Sequence, residues 1–381
     1  MRPKIKTILT PINRSGNVLR IGYEKSIFEV EDADGQILTF LQLIDGSHTI
    51  EEIVALSGMT EEEVWAALTE LNENKLLEDL DAVTQLSEEE QERYRANLTY
   101  FSNFADLETS KYHFQQKLRD SKIVVLGLGG SSLVASCFAG MGVGSLVGVD
   151  YDIVEISNLN RQFLFSEQEI GMLKTEASKN RLYQVNKTMK VEVVNRLITG
   201  VSSLIDLLED ADLVINMIDQ PAITATRWVN SACVHAGIPV IQGGVGNLEY
   251  FIQKFHPSKG CCYDCTLIQM LRTDPFMESQ LRMLYNQTFE RRNTAFAPII
   301  AMLCGQLAQE AAKTILGFEE ALQSGTVVTF NTMQATENRI KTWDAVPECP
   351  TCGANRDNSE WGEPVDIEVL FSFAREQTVQ S

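Results

Sequence analysis

Long apolar runs are absent from this sequence of 381 residues. No eighteen consecutive residues are apolar, and the opening MRPKIKTILTPINRSG contains no apolar core of a secretion signal. The sequence therefore predicts a protein that does not cross a membrane and that resides in the cytoplasm.

Positive charge is also scarce. Lysine and arginine total 32 against 52 aspartate and glutamate residues, which gives a formal net charge of −20 at pH 7. Such an excess repels a phosphate backbone, so we expect no nucleic-acid partner. Residues 1–90 hold 7 basic and 19 acidic residues, a net charge of −12. A solubilising surface would by itself account for this acidic start.

The most informative stretch is IVVLGLGGSS, from Ile123 to Ser132. It predicts a buried strand, a glycine turn and the start of a helix, where free N–H groups and the helix dipole bind phosphate. Asp150 follows Gly127 by 23 residues at the end of a second apolar run, where an acidic side chain can hold ribose hydroxyls. A tight strand–helix turn of any Rossmann-like domain stays open, because Ser132 replaces the third glycine of the dinucleotide fingerprint.

Three charged residues shift this interpretation toward a triphosphate. We expect Arg161 of SNLNRQFLF, Lys174, and Asp219 of LVINMID to converge on the same strand ends. Two cations would hold phosphate oxygens and one carboxylate would hold magnesium, which a nicotinamide enzyme does not need. Arg161 or Lys174 alone would be explained by a surface ion pair, but the combination predicts ATP and Mg²⁺.

Four of the eight cysteines form two Cys-x-x-Cys pairs separated by 83 residues. In a cytoplasmic chain this pattern predicts one tetrahedral, structural Zn²⁺ site, with a redox dithiol or chance as alternatives. The expected ligands are Cys262, Cys265, Cys349 and Cys352. We expect Cys137, Cys233 and Cys304 to be inert core residues, whereas Cys261 can be assigned no role.

The pattern of the first 82 residues predicts a small α+β, winged-helix-like module. Short strands and a hairpin turn at Asp34-Gly35 are expected within 17–44, including the stretch GQILTFLQLI. Thr49 and Thr60 are predicted N-caps of two helices. The order FLxLIDGxxTxEEI then EEVxxxLxxLxxxxLL resembles the peptide-recognition element of enzymes that modify ribosomally made precursor peptides. That resemblance implies that residues 16–82 bind a leader peptide as an added strand; a packing domain is the alternative.

Beyond this module we predict a helical linker at 83–120, a Rossmann-like α/β domain at 121–353 and a tail at 354–381. The α/β domain should have a mixed sheet, because the extended stretch NLEYFIQKF indicates a change to antiparallel pairing. TVVTFNT and NRIKTWDAV predict a further strand pair. The polar residues 274–295 are expected to form a loop or lid.

Taken together, GLGG, the VD of LVGVD, SNLNRQ, Lys174, Asp219, GCCYDC and CPTCG resemble the ubiquitin-activating-type adenylating superfamily, which includes the bacterial enzymes of thiamine and molybdopterin sulfur transfer. The resemblance implies a homodimer that binds Mg-ATP and joins AMP to a carboxylate. It also implies residue roles. Asp150 would hold the ribose, Lys174 would reach the phosphates and Asp219 would bind magnesium. The remaining expected phosphate contacts are Gly127, Gly129, Gly130, Asn158, Arg161 and Gln162.

Three departures from that family pattern narrow the reading. Ser131-Ser132 stands where the family has Leu-Gly. The family also has an Arg-Tyr-x-Arg helix whose second arginine, the finger arginine, reaches the ATP of the partner subunit. This chain has Arg93-Tyr94-Arg95-Ala96 there, so Arg93 or Arg95 would have to substitute. Residues 266–303 contain no cysteine, so the usual thioester nucleophile is missing. The chain therefore resembles the peptide-antibiotic branch of the superfamily, as does the TAFAP stretch at Thr294–Pro298.

That branch activates a carboxylate on a ribosomally made precursor peptide. Of its two known outcomes we favour pantocin-like dehydration and cyclisation of a glutamate side chain over microcin C-like nucleotidylation of the peptide's C-terminus. Adenylation of a sulfur-carrier protein and non-catalytic binding of peptide and nucleotide are the competing classes. The acidic module further predicts a basic leader whose binding weakens with salt.

Overall fold

The computed structural model describes residues 1–22, 28–257, 259–286, 294–334, 338–354 and 361–376. The chain divides into two compact units, Met1–Lys117 and Leu118–Ser381. Each unit has its own sheets and its own apolar core.

The first unit contains two small antiparallel sheets and a set of helices. β1 pairs with β5, and the second sheet has the order β2-β3-β4. The strands are β1 (Pro3–Ile5), β2 (Asn13–Ser15), β3 (Val18–Ile21), β4 (Phe28–Glu31) and β5 (Leu77–Asp79). The helices are α1 (Gln36–Leu43), α2 (Ile50–Ser57), α3 (Glu61–Glu73), α4 (Glu88–Arg93), α5 (Arg95–Phe101) and α6 (Lys111–Arg119).

Both predicted N-caps in this unit are confirmed. The Thr49 and Thr60 hydroxyls accept the N–H groups of Glu52 and Glu63, and each glutamate carboxylate accepts the N–H of its threonine. These two capping boxes satisfy donors that a helix start otherwise leaves free. They place α2 and α3 so that apolar side chains such as Leu68 are fully buried.

The prediction of a strand and hairpin turn at 34–44 is wrong, because these residues form α1. The apolar residues Ile37, Phe40, Leu41 and Ile44 follow a helical spacing, and the last three are buried in the core. The helix also has a cap that the sequence reading overlooked. The buried carboxylate of Asp32 accepts the N–H groups of Ile37 and Leu38 at 3.0 and 3.4 Å.

The second unit is built on one mixed sheet with the strand order β13-β12-β11-β10-β9-β6-β7-β8. The half containing β6 to β10 is parallel, and the predicted change to antiparallel pairing is confirmed at β10 and β11. The predicted pair β12–β13 is antiparallel as well. The strands are β6 (Lys122–Leu126), β7 (Ser145–Asp150), β8 (Lys190–Asn195), β9 (Leu213–Asn216), β10 (Val240–Val245), β11 (Glu249–Phe255), β12 (Thr326–Asn331) and β13 (Asn338–Thr342).

Helices cover both faces of this sheet. Ile123 and Val125 face one buried cluster, whereas Val124 and Leu126 face the other, as expected for a strand covered on two sides. The predicted α/β class with a mixed sheet is thereby confirmed. The helices are α7 (Ser132–Met141), α8 (Lys174–Val185), α9 (Thr224–Ala236), α10 (Tyr263–Thr273), α11 (Met277–Tyr285), α12 (Ala297–Leu316) and α13 (Ile367–Glu376).

Two stretches are more ordered than the sequence indicated. Part of the expected loop at 274–295 is the helix α11, and residues 287–293 of it lie outside the described residues. The expected tail contains α13, which packs against α10 through the buried Leu370 and Phe371. Within the described residues, no helix has the length and apolar character needed to span a bilayer.

Candidate functional site

The site lies at the carboxyl ends of the parallel strands β6, β7 and β9. β6 lies between the parallel strands β7 and β9, and the strands that follow β6 in the chain are added first on one side of it and then on the other. This change of side leaves a crevice outside the strand ends. Gly127 follows β6, Asp150 ends β7, and Asp219 follows β9 three residues after Asn216. The topology therefore gathers motifs that are up to 92 residues apart, counting from Gly127 to Asp219.

The glycine turn leaves little room for side chains. Gly127 has φ of +86°, and a Cβ at this position would lie 2.9 Å from the Met217 carbonyl oxygen. A Cβ on Gly129 would lie 2.7 Å from Nε2 of Gln162. Gly127 therefore requires glycine, whereas a side chain at 129 would first have to displace Gln162, and backbone N–H groups form much of the surface of the turn.

Ser131 and Ser132, directly after the turn, are buried, and their hydroxyl groups form hydrogen bonds with neighbouring backbone groups. Ser131 Oγ donates to the Gly127 carbonyl at 2.5 Å, and Ser132 Oγ accepts the Phe163 N–H at 2.9 Å. The departure from the family's Leu-Gly pair is therefore structural. It fastens the glycine turn and the segment after Arg161 to the start of α7.

Asp150 and the amide side chains of Asn158 and Gln162 are almost fully buried. The Asp150 carboxylate accepts the N–H groups of Leu128 and Asp152 at 2.8 and 2.9 Å, which braces the glycine turn. Asn158 Oδ1 accepts the N–H of Glu155 at 3.0 Å. Among the described residues, Oε1 of Gln162 is buried without a hydrogen-bond partner. An unsatisfied buried oxygen of this kind is expected where a ligand completes the site.

The two predicted cations are held differently. Lys174 opens α8; its side chain is 7% exposed and Nζ lies 2.8 Å from Oδ2 of Asp152. Arg161 is half-buried, and its Nη1 donates to the Ser157 carbonyl at 2.7 Å and to Oδ1 of Asn160 at 2.9 Å. Because each cation already has partners, a bound polyphosphate would have to replace some of these contacts.

One cavity of about 550 Å³ connects these groups. Its lining includes all nine residues predicted from the sequence for the nucleotide site, namely Gly127, Gly129, Gly130, Asp150, Asn158, Arg161, Gln162, Lys174 and Asp219. The structure thus brings the predicted set together, whereas their individual roles stay predictions.

The cavity also has lining residues that the sequence reading missed. Asp152 belongs to this set, and its charge, with burial and the charges of Asp150 and Asp219, raises the pKa of Tyr151. The sequence could have indicated Asp152, because it lies two residues after the predicted site residue Asp150. Arg196, at the end of β8, is held by Asp206 through two hydrogen bonds of 2.6 and 2.9 Å. The remaining wall is mostly apolar or small: Leu197, Ile198, Ala222, Ile223, Thr226, Val245, Leu284, Ala295, Ile300 and Leu303.

A second cluster brings together the four predicted cysteines. The Sγ atoms of Cys262, Cys265, Cys349 and Cys352 all lie within 4.8 Å of one another. The Cys262–Cys265, Cys262–Cys349 and Cys265–Cys352 separations are 3.9, 3.8 and 3.4 Å. Bonds of about 2.3 Å from a tetrahedral zinc ion place sulfur atoms roughly 3.8 Å apart. The cluster can therefore hold such an ion with no position left for a substrate.

The surroundings of the four thiols also suit a metal. The N–H groups of Val346 and Thr351 point at Sγ of Cys265 and Cys349 at 3.3 and 3.5 Å, which favours thiolates. Hydrogen bonds from neighbouring thiols lower the pKa of Cys265, whereas burial raises that of Cys262.

The other cysteines lie outside the cluster. Burial raises the pKa of Cys137, Cys233 and Cys304, as expected for core thiols, although Cys137 is only half-buried. Cys261 is buried and its Sγ lies 3.6 Å from Oγ1 of Thr266 and 3.2 Å from the Cys262 carbonyl. It packs beside the cluster and is not one of its four members.

Known proteins share this sequence pattern and architecture. The ThiF family profile matches residues 94–351. The molybdopterin-synthase adenylyltransferase of Escherichia coli is 29% identical over 71% of this chain and 100% of its own length. The sulfur carrier protein ThiS adenylyltransferase of E. coli is 32% identical over 63% and 89%. The chain spans about half the length of the matched MOCS3 adenylyltransferase and sulfurtransferase of Culex quinquefasciatus, 55% of it.

Solved structures share the fold over almost the whole chain. The crystal structure of E. coli MccB with AMPCPP and MccA has a TM-score of 0.74 and 23% identity, and covers 93% of this chain and 100% of that one. At this identity the likeness establishes the fold. It extends over most of the first unit, whereas the family profile begins at residue 94 and reaches only the end of that unit.

Proposed function

The chain belongs to the ThiF family of ATP-dependent adenylating enzymes, and on this premise we propose that it activates a carboxylate of a ribosomally made precursor peptide. The observation that carries the proposal is the cavity at the strand ends, where the glycine turn, Lys174, Arg161 and Asp219 surround one space. Its volume of about 550 Å³ suits a nucleotide together with the end of an acceptor.

In this proposal the turn at 127–130 carries the α-phosphate. Because neither Gly127 nor Gly129 has a side chain, the phosphate can approach the backbone N–H groups directly. The buried Oε1 of Gln162 would meet a nucleotide hydroxyl or a water held by one. Asp150, braced by two N–H groups, retains lone pairs for the ribose.

The chemical step joins a carboxylate oxygen to the α-phosphorus while the bond to pyrophosphate breaks. The nucleophile is already ionised at neutral pH, so no general base is required. The main barrier is the approach of two anions, which Lys174 and Arg161 lower by placing positive charge beside the phosphate oxygens. Lys174 would exchange its contact with Asp152 for a phosphate oxygen, which frees that carboxylate next to Asp219.

Asp219 and Asp152 are the carboxylates that would hold magnesium. Among the described residues, the Asp219 carboxylate has neither a hydrogen-bond nor an ion-pair partner, as suits a metal ligand. Magnesium, when bound, neutralises charge on the departing pyrophosphate. The four-cysteine cluster we assign to Zn²⁺, because its thiol set and its sulfur separations suit that ion.

The first unit supplies the argument for a peptide acceptor. β4 has one hydrogen-bonded neighbour within the described residues, so its other edge is open to an added strand. MccB, whose fold covers both units, was crystallised with MccA, and the microcin C7 biosynthetic enzyme MccB with N-formylated MccA. We propose that residues 16–82 bind a leader peptide in this way and that activation leads to dehydration and cyclisation of a glutamate side chain. Nucleotidylation of the peptide's C-terminus is the alternative outcome.

A second candidate function is adenylation of a sulfur-carrier protein. It is favoured by the relatives named as adenylyltransferases of molybdopterin synthase and of ThiS. Against it, residues 266–303 contain no cysteine to receive the activated acyl group. Sulfur transfer would then require a thiol elsewhere.

Pyrophosphate release separates these functions. The chain is incubated with Mg-ATP and either a precursor peptide or a small carrier ending in Gly-Gly. We expect release with the peptide, with a mass loss of one water for cyclisation or a mass gain of one nucleotidyl group for the alternative. Release with the carrier alone would favour the second function, and release with neither would leave non-catalytic binding.

We further propose that two chains assemble in the cytoplasm into a homodimer. Several large apolar side chains within 151–185 are exposed in the single chain, including Ile153, Ile156 and Tyr183 at 47, 74 and 63%. A partner subunit would cover such a surface.

Arg95 lies 3.5 Å from Glu92 on an exposed part of the first unit and is, with Arg93, a candidate for the missing finger arginine. Replacing both arginines without loss of ATP turnover would exclude that role.

A further inference from the structure

The wall of the cavity next to Asp219 contains an unusual backbone turn. Ile223 has φ of +68° and ψ of −50°, and the N–H of Thr224 donates to the Ala222 carbonyl at 2.7 Å. This bond between residues two apart, with these angles, defines a classic γ-turn, which is rare and strained. A β-branched residue is poorly suited to positive φ. Ala222 and Ile223 both line the cavity.

Such a turn persists only where its surroundings hold it. One turn of α9 further on, Arg227 donates its own N–H to the Ile223 carbonyl at 2.9 Å. Its guanidinium, 3% exposed, binds the Asp264 carboxylate through two hydrogen bonds of 2.9 and 3.0 Å. Oγ1 of Thr351 donates to the same carboxylate at 2.6 Å.

These partners belong to the two cysteine pairs. Asp264 lies between Cys262 and Cys265, and Thr351 lies between Cys349 and Cys352. A second link joins the same helix to the first pair, since the N–H of Tyr263 donates to Oδ1 of Asn230 at 2.8 Å. One face of α9 is therefore fastened to the four-cysteine cluster, while Thr226 at its start faces the cavity.

We propose that Arg227 is a positioning residue: its buried pair with Asp264 and Thr351 holds the Ile223 γ-turn, so that the four-cysteine cluster fixes the cavity wall beside Asp219. The inference rests on the proposed function only for its consequence on nucleotide binding. It gives the closed cluster a second task beyond stabilising the fold, because loosening the cluster would loosen the turn that follows Asp219.

The test compares Arg227→Lys and Thr351→Val with the wild-type chain. Lysine keeps the charge that Asp264 needs but loses the fork geometry, and Thr351→Val removes one hydrogen bond with little change of shape. We expect the dissociation constant for Mg-AMPCPP, measured by calorimetry, to rise five- to twentyfold in Arg227→Lys and about twofold in Thr351→Val. Metal content, measured by mass spectrometry, should stay that of the wild type.

Ile223→Gly makes the test specific to strain. Glycine adopts positive φ readily, so Arg227→Lys should weaken nucleotide binding far less in the Ile223→Gly background than in the wild type. Purely structural damage would instead be additive. Lys254→Met is the matched control, since Lys254 and Glu310 form another buried ion pair, at 3.2 Å, whose residues do not line the cavity. It should leave the nucleotide affinity unchanged.

Hydrogen exchange supplies a readout that needs no nucleotide. Exchange in peptides covering 220–227 should be faster in Arg227→Lys than in the wild type and unchanged in Lys254→Met. Unchanged exchange, or additive effects of Arg227→Lys and Ile223→Gly, would overturn the inference. A wild-type chain that binds no ATP would instead refute the proposed function, and the exchange experiment would still decide the role of Arg227.

Discussion

The two units can be compared through a buried lysine in each. Lys174 in the second unit is 7% exposed; its ammonium lies 2.8 Å from the half-exposed Asp152 at the edge of the cavity. Lys6 in the first unit is fully buried and donates to the Lys75 carbonyl at 2.5 Å. Burial lowers the pKa of Lys6 from its ordinary value to about 8.

Under the proposed function, the difference is that Lys174 keeps its charge for a ligand, whereas the charge of Lys6 is held within the fold. The partner of Lys174 is a carboxylate that a phosphate oxygen can replace, and the neighbouring space is open. The partner of Lys6 is a main-chain carbonyl inside the core, where no ligand can reach. Burial of a charged group alone therefore does not mark a functional site; an exchangeable partner beside a cavity does.

Replacing Lys174 by methionine should have the largest effect. We expect peptide-dependent pyrophosphate release to fall about 10²–10³-fold, because one cation beside the reacting phosphate is lost. The urea midpoint of unfolding should change little, since removing a partly desolvated charge offsets the lost ion pair. Lys179→Met, an exposed position on the same helix, is the control and should keep wild-type activity. Retention of more than a tenth of the activity by Lys174→Met would contradict the assignment.

Cys349→Ser, in the same unit, should differ from Lys174→Met by strongly lowering the stability of the chain. Loss of one ligand should empty the metal site and lower the free energy of unfolding by about 3–5 kcal/mol, as for other losses of a structural metal. Metal analysis and urea unfolding measure both effects. Cys137→Ser, outside the cluster and half-buried, should keep the metal and most of the stability. A Cys349→Ser chain that keeps the wild-type metal content and stability would show that Cys349 is not a metal ligand.

Much of the site could be predicted because its residues belong to local signals. The glycine turn, the acidic residues at strand ends and the cysteine pairs each have a fixed spacing with a physical cause. Helix caps such as Thr49 and Thr60 are local in the same sense. Parallel pairing of β6, β7 and β9 then brings the distant motifs together.

What could not be predicted depends on contacts between distant residues. The pair Arg227–Asp264 joins residues 37 apart, and Asp264 meets Thr351 87 residues further on. The γ-turn at Ile223 has no sequence signal, because a β-branched residue argues against it. The helix α1 was missed for a different reason. Its apolar spacing is present in the sequence, but Gly35 before it is equally typical of a turn, and the capping carboxylate comes from Asp32, four residues before the helix begins.

Lys6→Met tests the other member of the comparison, the buried lysine of the first unit. The wild-type chain must bury an ammonium group at pH 7, since the folded pKa of about 8 lies below the ordinary 10.5. Below pH 8 the unfolding free energy carries the full cost, on the order of 3 kcal/mol, and the cost disappears as the pH rises toward 10.5. Wild-type stability should therefore rise over this interval.

In Lys6→Met that rise should be missing. The variant should be more stable than the wild type at pH 7 by about 1–2 kcal/mol, because the unpaired Lys75 carbonyl offsets part of the gain. Near pH 10.5 the advantage should vanish. Urea unfolding at pH 7, 9 and 10.5 measures this, with Lys4→Met, a partly exposed neighbour, as the control. Equal pH slopes for wild type and Lys6→Met would show that Lys6 is not buried as a charge.

The smallest effect concerns the surface charge of the first unit. Residues 1–90 carry a net charge of −12, so a basic leader bound at the open edge of β4 should be held partly by long-range attraction. Raising the salt concentration from 50 to 300 mM should weaken peptide binding about three- to tenfold, as exposed charges are screened. Glu31→Gln, exposed on β4, should reduce this salt dependence, whereas Glu209→Gln, exposed in the second unit, should not. Calorimetry with the peptide measures both, and a salt-independent affinity would mean that main-chain pairing and apolar contacts hold the leader without help from charge.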